Sequence, residues 1–170
     1  MIARNQVVGL IAGVVLIVAA ITGALLVGRD STDSSPEAVV RSYLIAVYEA
    51  RNASQYLDLF DPQDLEALEI EYGIAMDEVR DGLQDNLDEF HRGLTSEGIS
   101  VTWEVGSTTA QNRTAETTAI LTLTHPVLGD AEDTEVVPTK ERDGRWYLKA
   151  EILEAFLQWF LEWQASAVAP

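Results

Sequence analysis

The segment 36–60, PEAVVRSYLIAVYEARNASQYLDLF, decides the fold because it joins a helix start signal to one continuous apolar face. Ser34 and Ser35 provide a hydroxyl cap, and they precede a proline suited to the first helical turn and an early acid. Apolar residues then recur at helical spacing, as the pairs Val39/Val40, Tyr43/Leu44 and Val47/Tyr48. The segment therefore predicts an amphipathic first helix that buries one face, followed after Asn52 by a short second helix.

Two further helical patterns precede the first strand. Asp61-Pro62 has the form of a cap followed by a proline in the first turn, and it begins a helical stretch that Gly73 interrupts. A longer helix follows, whose apolar residues are spaced three or four positions apart: Val79, Leu83, Leu87, Phe90 and Leu94.

From Ile99 onward the apolar period changes from that of a helix to two, which indicates strands. The apolar faces of the first two strands carry Ile99, Val101, Trp103 and Val105, then Ala119, Leu121 and Leu123. A weaker third strand is predicted at 134–139, and Asp143-Gly144 has the form of a hairpin turn before a fourth at 145–149. Short connections between neighbouring strands predict an antiparallel sheet.

The N-terminal part of the chain has the character of a membrane anchor. Residues 7–28, VVGLIAGVVLIVAAITGALLVG, are 22 residues without a charge. As a helix they would span about 33 Å, against roughly 30 Å of bilayer hydrocarbon. The sequence thus predicts one membrane-spanning helix at 7–28, a cytoplasmic N-terminus at 1–6 and a polar tether at 29–35. A cleaved secretory signal is the alternative, although its apolar region is ordinarily shorter.

The charges beside this apolar run set its predicted orientation. Arg4 and the amino terminus precede the run with no acid among them, which favours a cytoplasmic N-terminus and an extracytoplasmic domain in the cell membrane. Gly9 and Gly13 have GxxxG spacing and are candidates for a helix–helix contact within the membrane.

Composition excludes several classes of function. Against 28 acids there are only 11 lysines and arginines, and the net charge of -17 would repel a nucleic acid backbone. The absence of cysteine excludes disulfides, thiolate metal sites and a cysteine nucleophile. The two histidines, His91 and His125, do not show metal-ligand spacing, so we expect no metal and no cofactor.

The first helix, further helices and a strand series closing on DGRWYLKAE (143–151) resemble the nuclear transport factor two-like superfamily, which includes the ketosteroid isomerases. The similarity covers 36–151, and it is greatest to small membrane-bound or lipoprotein members of unassigned function. It implies an α+β fold, in which a curved antiparallel sheet wraps the first helix and forms a cone-like domain at 36–150. The cone serves in different members for catalysis, for ligand binding or as a plain core.

Candidate residues for such a cone come from the first helix and the strands. We expect the pocket to be lined by Tyr43, Val47, Trp103, His125 and Trp146. An isomerase-like site needs a phenol, a protonated acid and a carboxylate base in one apolar pocket. Tyr43 or Tyr48 can supply the phenol, but the apolar faces of the first two strands carry no acid. No catalytic residue is therefore assigned.

The C-terminal segment 151–166 predicts an additional amphipathic helix beyond the extent of the resemblance. Its polar stripe is narrow, and the apolar surface around it exceeds what one sheet face normally covers. Packing against its own domain is the simplest interpretation, but part of the surface remains for a partner protein, a second copy or the bilayer. The residues proposed to face a partner or the membrane are Trp159, Phe160 and Trp163.

Together these features predict a non-catalytic, single-pass membrane protein with an extracytoplasmic interaction or accessory domain, as a subunit of an envelope complex. The alternative is a small apolar ligand-binding protein, or an isomerase-like enzyme, that uses the cone as its pocket. A cone filled by its own side chains indicates a scaffold, whereas a cavity of roughly 300 Å³ or more indicates a ligand site.

Overall fold

A computed structural model describes residues 35–167, and it describes side chains for 35–161. The helices are α1 (Pro36–Leu44), α2 (Ala53–Leu57), α3 (Pro62–Tyr72), α4 (Met76–Glu97) and α5 (Glu151–Ala167). The strands are β1 (Ser100–Gln111), β2 (Thr114–His125), β3 (Gly129–Arg142) and β4 (Arg145–Leu148). The prediction of an α+β fold with helices followed by an antiparallel sheet is confirmed.

The predicted membrane-spanning helix at 7–28, with Gly9 and Gly13, lies outside the described residues, as do the N-terminus at 1–6 and the tether up to residue 34. Among the described helices, none combines the length and the apolar character needed to cross a membrane.

Helix α1 begins where the sequence predicts, and its final turn is wider than an α-helix. The Ser35 hydroxyl accepts a hydrogen bond from the Ala38 N–H at 3.2 Å and caps the helix. The chain then continues as a π-helical turn over Ile45–Glu49. Within this turn the Val47 carbonyl accepts a hydrogen bond from the Nε2 of His91 on α4, at 2.9 Å. A buried carbonyl near the helix end is thereby satisfied from a neighbouring helix.

The four strands form one antiparallel sheet in the order β1-β2-β3-β4. One register row joins Val105, Ala119 and Glu135, and the next row whose side chains share that face joins Trp103, Leu121 and Asp133. Strand β3 runs from 129 to 142, well beyond the predicted 134–139. Its first six residues are all exposed, so apolar alternation could not reveal a strand that backbone pairing with β2 holds in place.

The core lies between the helices and one face of the sheet, here called the inner face and defined by Val101, Trp103, Val105, Ala119, Leu121, Glu135 and Val137. Helix α1 contacts every strand from this side. The helical side of the core is made by Val39, Val40, Leu44, Val79, Leu83, Leu87, Leu153 and Leu157, each no more than 6% exposed. The C-terminal helix thus packs against its own domain with one face, the simpler of the two predicted outcomes.

Helix α3 is joined to the sheet through a buried carboxylate. Asp61 is 2% exposed, and its Oδ1 accepts a hydrogen bond from the Gln63 N–H at 2.9 Å. Its Oδ2 forms an ion pair with the guanidinium of Arg142 and lies 3.6 Å from Nζ of Lys140. Both bases belong to the end of β3, so two positive charges compensate the buried acid.

Two glycines of α4 give a test of how tightly α5 packs on the domain. A Cβ added at Gly82 would lie 2.7 Å from Cε2 of Phe160, whereas one added at Gly93 would meet nothing within 4 Å. Alanine at Gly93 should stabilise the domain by about 0.5–1 kcal/mol through helix propensity. At Gly82 overpacking of about 1–3 kcal/mol should exceed this gain, so Gly82→Ala is expected to be net destabilising. Urea unfolding of the two variants measures the difference, and equal stabilisation by both would contradict the packing of Phe160.

Candidate functional site

An acid lies on the inner face of the sheet, at a position that the sequence analysis overlooked. Glu135 pairs with Ala119, which is fully buried, and it shares a strand face with the buried Val137 and Thr139. The period-two spacing 135, 137 and 139 was the available signal. It was missed because the apolar pattern of β3 is weak, so inward-facing positions were predicted only for the first two strands.

The carboxyl of Glu135 is held in an environment that disfavours its charge. Burial raises its pKa to about 7, the negative charge of Asp133 adds to the increase, and a hydrogen bond with the Tyr43 hydroxyl partly offsets it. Its Oε2 is buried and has no hydrogen-bond partner among the described residues. An acid so placed is neutral for part of the population near pH 7.

Three tyrosines surround this carboxyl. Tyr43 and Tyr48 come from α1 and its π-helical turn, Tyr56 comes from α2, and each is at most 7% exposed. Burial raises the pKa of all three phenols, and the nearby charge of Glu135 adds to the effect. The rings of Tyr43 and Tyr56 lie 5.8 Å apart between centroids. All three tyrosines are therefore neutral hydrogen-bonding groups at physiological pH.

Three buried polar atoms of this region lack partners within the part of the chain that the structure describes. They are the Tyr48 hydroxyl and the Trp103 Nε1, which are donors, and the Glu135 Oε2, which is an acceptor. Buried polar groups are normally paired, and an unpaired one costs about 1–3 kcal/mol. Tyr48 lies close enough to Glu135 for the carboxyl charge to raise the pKa of its phenol, and Trp103 stands on the same face of the sheet as Glu135. Two donors and one acceptor on this side of the sheet could bond a small polar molecule, water included.

The residues predicted to line the pocket fall into two groups. Tyr43 and Val47 are each 3% exposed, and Trp103 and Trp146 are partly buried against the same core. These four residues are brought together on the helical side of the sheet. The space that a cone-like pocket would occupy is therefore filled by side chains of the domain itself.

His125 is not brought together with the other four predicted lining residues in the core. It stands at the end of β2, and its Nδ1 accepts hydrogen bonds from the backbone N–H groups of Val127 and Leu128, both at 3.1 Å. The imidazole therefore organises the turn between β2 and β3. A histidine that precedes Pro126 at a strand end is positioned to bond the turn that follows, and this local role decides its orientation.

A depression of about 300 Å³ lies outside the inner face. It is open to solvent and is lined by Leu57, Asp58, Phe60, Pro62, Leu65, Arg145 and Tyr147. The guanidinium of Arg145 lies 5.0 Å from the centroid of the Tyr147 ring. The depression thus combines an apolar floor with a base and an acid at its rim.

The three candidate contact residues of α5 have different environments. Phe160 is only 6% exposed, so its assignment as a partner-facing residue is wrong: its ring belongs to the core beside Gly82. Trp159 is 39% exposed, and its ring centroid lies 5.8 Å from that of Phe156. The side chain of Trp163 lies outside the described residues.

A metal site is not indicated by the described part of the chain, where no group of three or more histidines, aspartates or glutamates could hold an ion.

Comparisons with known proteins add a distant structural likeness. No protein-family model matches the sequence, and no curated protein matches it. The fold is similar to the solution structure of a SEC-C motif containing protein from Rhodopseudomonas palustris, with 16% sequence identity and a TM-score of 0.44. The likeness covers 68% of this chain and 76% of the other.

The buried carboxyl predicts a defined dependence of stability on pH. Its pKa of about 7 in the folded state, against 4.5 for an unperturbed group, means that ionisation opposes folding. This penalty is absent below pH 4.5, grows to about 3 kcal/mol by pH 7 and is constant above that. As the pH rises from 4.5 to 7, the free energy of unfolding of the wild-type protein should therefore fall relative to that of Glu135→Gln.

Urea unfolding of both proteins from pH 4.5 to pH 8 measures this difference. Glu132→Gln is the matched control, because Glu132 is exposed on the same strand. Parallel stability curves for the unchanged protein and Glu135→Gln would show that the carboxyl is not held in the environment described.

Proposed function

We propose that this chain is a single-pass membrane protein whose folded domain acts as a non-catalytic interaction or accessory module of an envelope complex. In this proposal residues 7–28 form the anchor, 29–35 form the tether, and the domain of 36–150 with α5 lies outside the cytoplasm. The apolar, charge-free composition of 7–28 supports the anchor. A membrane-tethered member of the nuclear transport factor two-like superfamily would have this plan.

The observation that carries the proposal is the filling of the inner face by the domain's own side chains. Val39, Val40 and Leu44 of α1 have no measurable exposure, and Tyr43 and Val47 have 3%. A domain that uses this space as its hydrophobic core is suited to present an outer surface to other molecules. This filling favours a scaffold domain over a domain with an open ligand-binding pocket.

Helix α5 offers one element of such a surface. Trp159 exposes 39% of its surface next to Phe156 and Phe160, which are buried. An indole held against a rigid aromatic base is the kind of residue that supplies much of the binding energy in protein interfaces. Acids of the same helix, Glu151 and Glu154, would oppose an anionic bilayer surface, so a protein partner is favoured here.

A second candidate function is the binding of a small molecule on the inner face. The specific observation in its favour is the set of three buried polar atoms on Tyr48, Trp103 and Glu135 that lack partners among the described residues. A ligand with an acceptor for two N–H or O–H groups and a donor for the carboxyl would satisfy them. An isomerase-like reaction would need a second carboxyl inside the apolar pocket, and Asp133, whose charge acts on both Glu135 and Tyr48, is exposed.

Substitution of neighbouring residues on α5 tests the role of this helix. Trp159→Ser should leave the domain folded, because the side chain is partly exposed, while it weakens association with the envelope partner. Phe160→Ser should instead destabilise the domain by about 3–5 kcal/mol, since it empties a buried aromatic site. Thermal unfolding and co-purification from native membranes measure the two effects. Normal co-purification of a folded Trp159→Ser protein would contradict the role of this surface.

Removal of one hydroxyl distinguishes the two candidate functions. If the inner face serves only as a core, the Tyr48 hydroxyl is unpaired, and Tyr48→Phe should stabilise the protein by roughly 1 kcal/mol. If a bound molecule pairs with this hydroxyl, the same change should lower stability. Tyr72→Phe, at a partly exposed tyrosine of α3, is the control. We expect stabilisation, and a loss of stability on urea unfolding would favour the ligand-binding alternative.

A further inference from the structure

The Glu135 carboxyl on the inner face has fewer hydrogen-bond donors than its ionised form requires. The Tyr43 hydroxyl bonds it, but its Oε2 is buried and accepts no hydrogen bond from the described residues. A carboxylate has about four lone-pair sites, and burying it with most of them unfilled costs far more than burying the neutral acid. Ionisation of this group therefore creates a demand for a further donor.

Two buried donors on the same side of the sheet are unused. The Tyr48 hydroxyl belongs to a residue that is 1% exposed, and neither it nor the Trp103 Nε1 bonds an acceptor in the part of the chain that the structure describes. The charge of Glu135 acts on the Tyr48 phenol, so the two groups lie within electrostatic range of each other. Trp103 stands two strands away, and the guanidinium of Arg41 lies 5.8 Å from its ring centroid. Tyr48 is therefore the better placed donor.

The other ionisable groups around the carboxyl do not fill its free oxygen. Tyr43 of α1 is already bonded to it, and Asp133 of its own strand is an acid whose charge opposes ionisation. Tyr56 of α2 feels the carboxyl charge, but its hydroxyl is not a buried group without a partner. From β2 the register places Ala119 opposite, which carries no ionisable group. Compensation of the charge is thus left to Tyr48.

The segment that carries Tyr48 is suited to a local change of shape. Residues Ile45–Glu49 form a π-helical turn, which is wider than an α-helix and is found frequently at functional sites. The chain leaves this turn through Arg51, whose φ of 50° is in the left-handed region and costly for a residue with a side chain. On the other side His91 of α4 bonds the Val47 carbonyl at 2.9 Å. A movement of the turn therefore reaches α4.

We propose that Glu135 and the π-helical turn form a pH-responsive device within the core. When the Glu135 carboxyl loses its proton to solvent, the Tyr48 hydroxyl turns toward it and donates a hydrogen bond to Oε2, and the π-helical turn moves with the ring. Protonation reverses the change. The Val47–His91 hydrogen bond passes the movement to α4. The device goes beyond the interaction role proposed above, and it requires neither the membrane anchor nor a partner.

Titration of the carboxyl tests the new hydrogen bond. Full-length protein with ¹³C-labelled glutamate is followed by NMR in detergent from pH 5 to pH 9, and Glu135→Gln identifies the signal. Tyr48→Phe should raise the midpoint by about one pH unit, because it removes a donor to the ionised form. Tyr43→Phe removes the existing bond and should raise the midpoint as well, whereas the control Tyr72→Phe should not. A midpoint unchanged by Tyr48→Phe would overturn the proposal.

The movement of the turn is measured on the ring signals of Tyr48 and His91. In the wild-type protein both should shift at the midpoint of the Glu135 titration, and this component should be lost in Glu135→Gln. His91 keeps its own titration at lower pH, because burial lowers its pKa. Ring signals that stay constant through the Glu135 midpoint would overturn the proposal.

Stability on the two sides of the midpoint separates the device from a bound small molecule. At pH 5 the carboxyl is neutral and the Tyr48 hydroxyl is unpaired, so Tyr48→Phe should stabilise the protein as described above. At pH 8 the same substitution removes a bond to a carboxylate, so Tyr48→Phe should unfold at a lower urea concentration than the wild-type protein. A loss of stability at both pH values would overturn the device and favour a bound ligand.

Discussion

The packing of α1 against the inner face is the contact on which the rest of the structure depends. Its apolar residues meet all four strands, and its buried members are almost completely removed from water. The helix also positions its neighbours. His91 and Gln84 of α4 bond backbone groups at and beyond its end, at Val47 and at Arg51 and Ala53, so α4 is joined to the same core through directional contacts as well as apolar ones.

This arrangement explains why polar groups are found in the core at all. The π-helical turn places Tyr48 on the buried side. The sheet register places Glu135 opposite Ala119, where burial makes ionisation of its carboxyl costly. Neither position follows from apolar burial alone. Together they give an otherwise hydrophobic core a small polar region in which Glu135 changes its protonation near neutral pH. These polar groups are the ones that a bound small molecule would contact in the ligand-binding alternative.

Periodicity in the sequence predicts where the helices and strands lie and which of their faces are apolar. It predicts little about which side chains meet once these elements pack together. The helix start at Ser35, the four helical patterns before the first strand and the faces of β1 and β2 were all readable from spacing. Trp159 and Phe160 were not distinguishable, because α5 is apolar around most of its circumference and the packing of Phe160 beside Gly82 is a tertiary contact that spacing does not reveal. Glu135 was missed because β3 has a weak pattern, and the hydrogen bonds that His125 makes within its turn were not readable from spacing.

Amide hydrogen exchange of the full-length protein tests the central role of α1 most directly. If α1 is the contact that holds the domain together, its amides from Val40 to Leu44 should exchange only through global unfolding, with the same free energy as Ala119 and Leu121 of β2. The same denaturant dependence is expected for both groups. Exchange of the α1 amides through a local opening of much lower free energy, while the β2 amides stay protected, would show that the sheet does not depend on this helix.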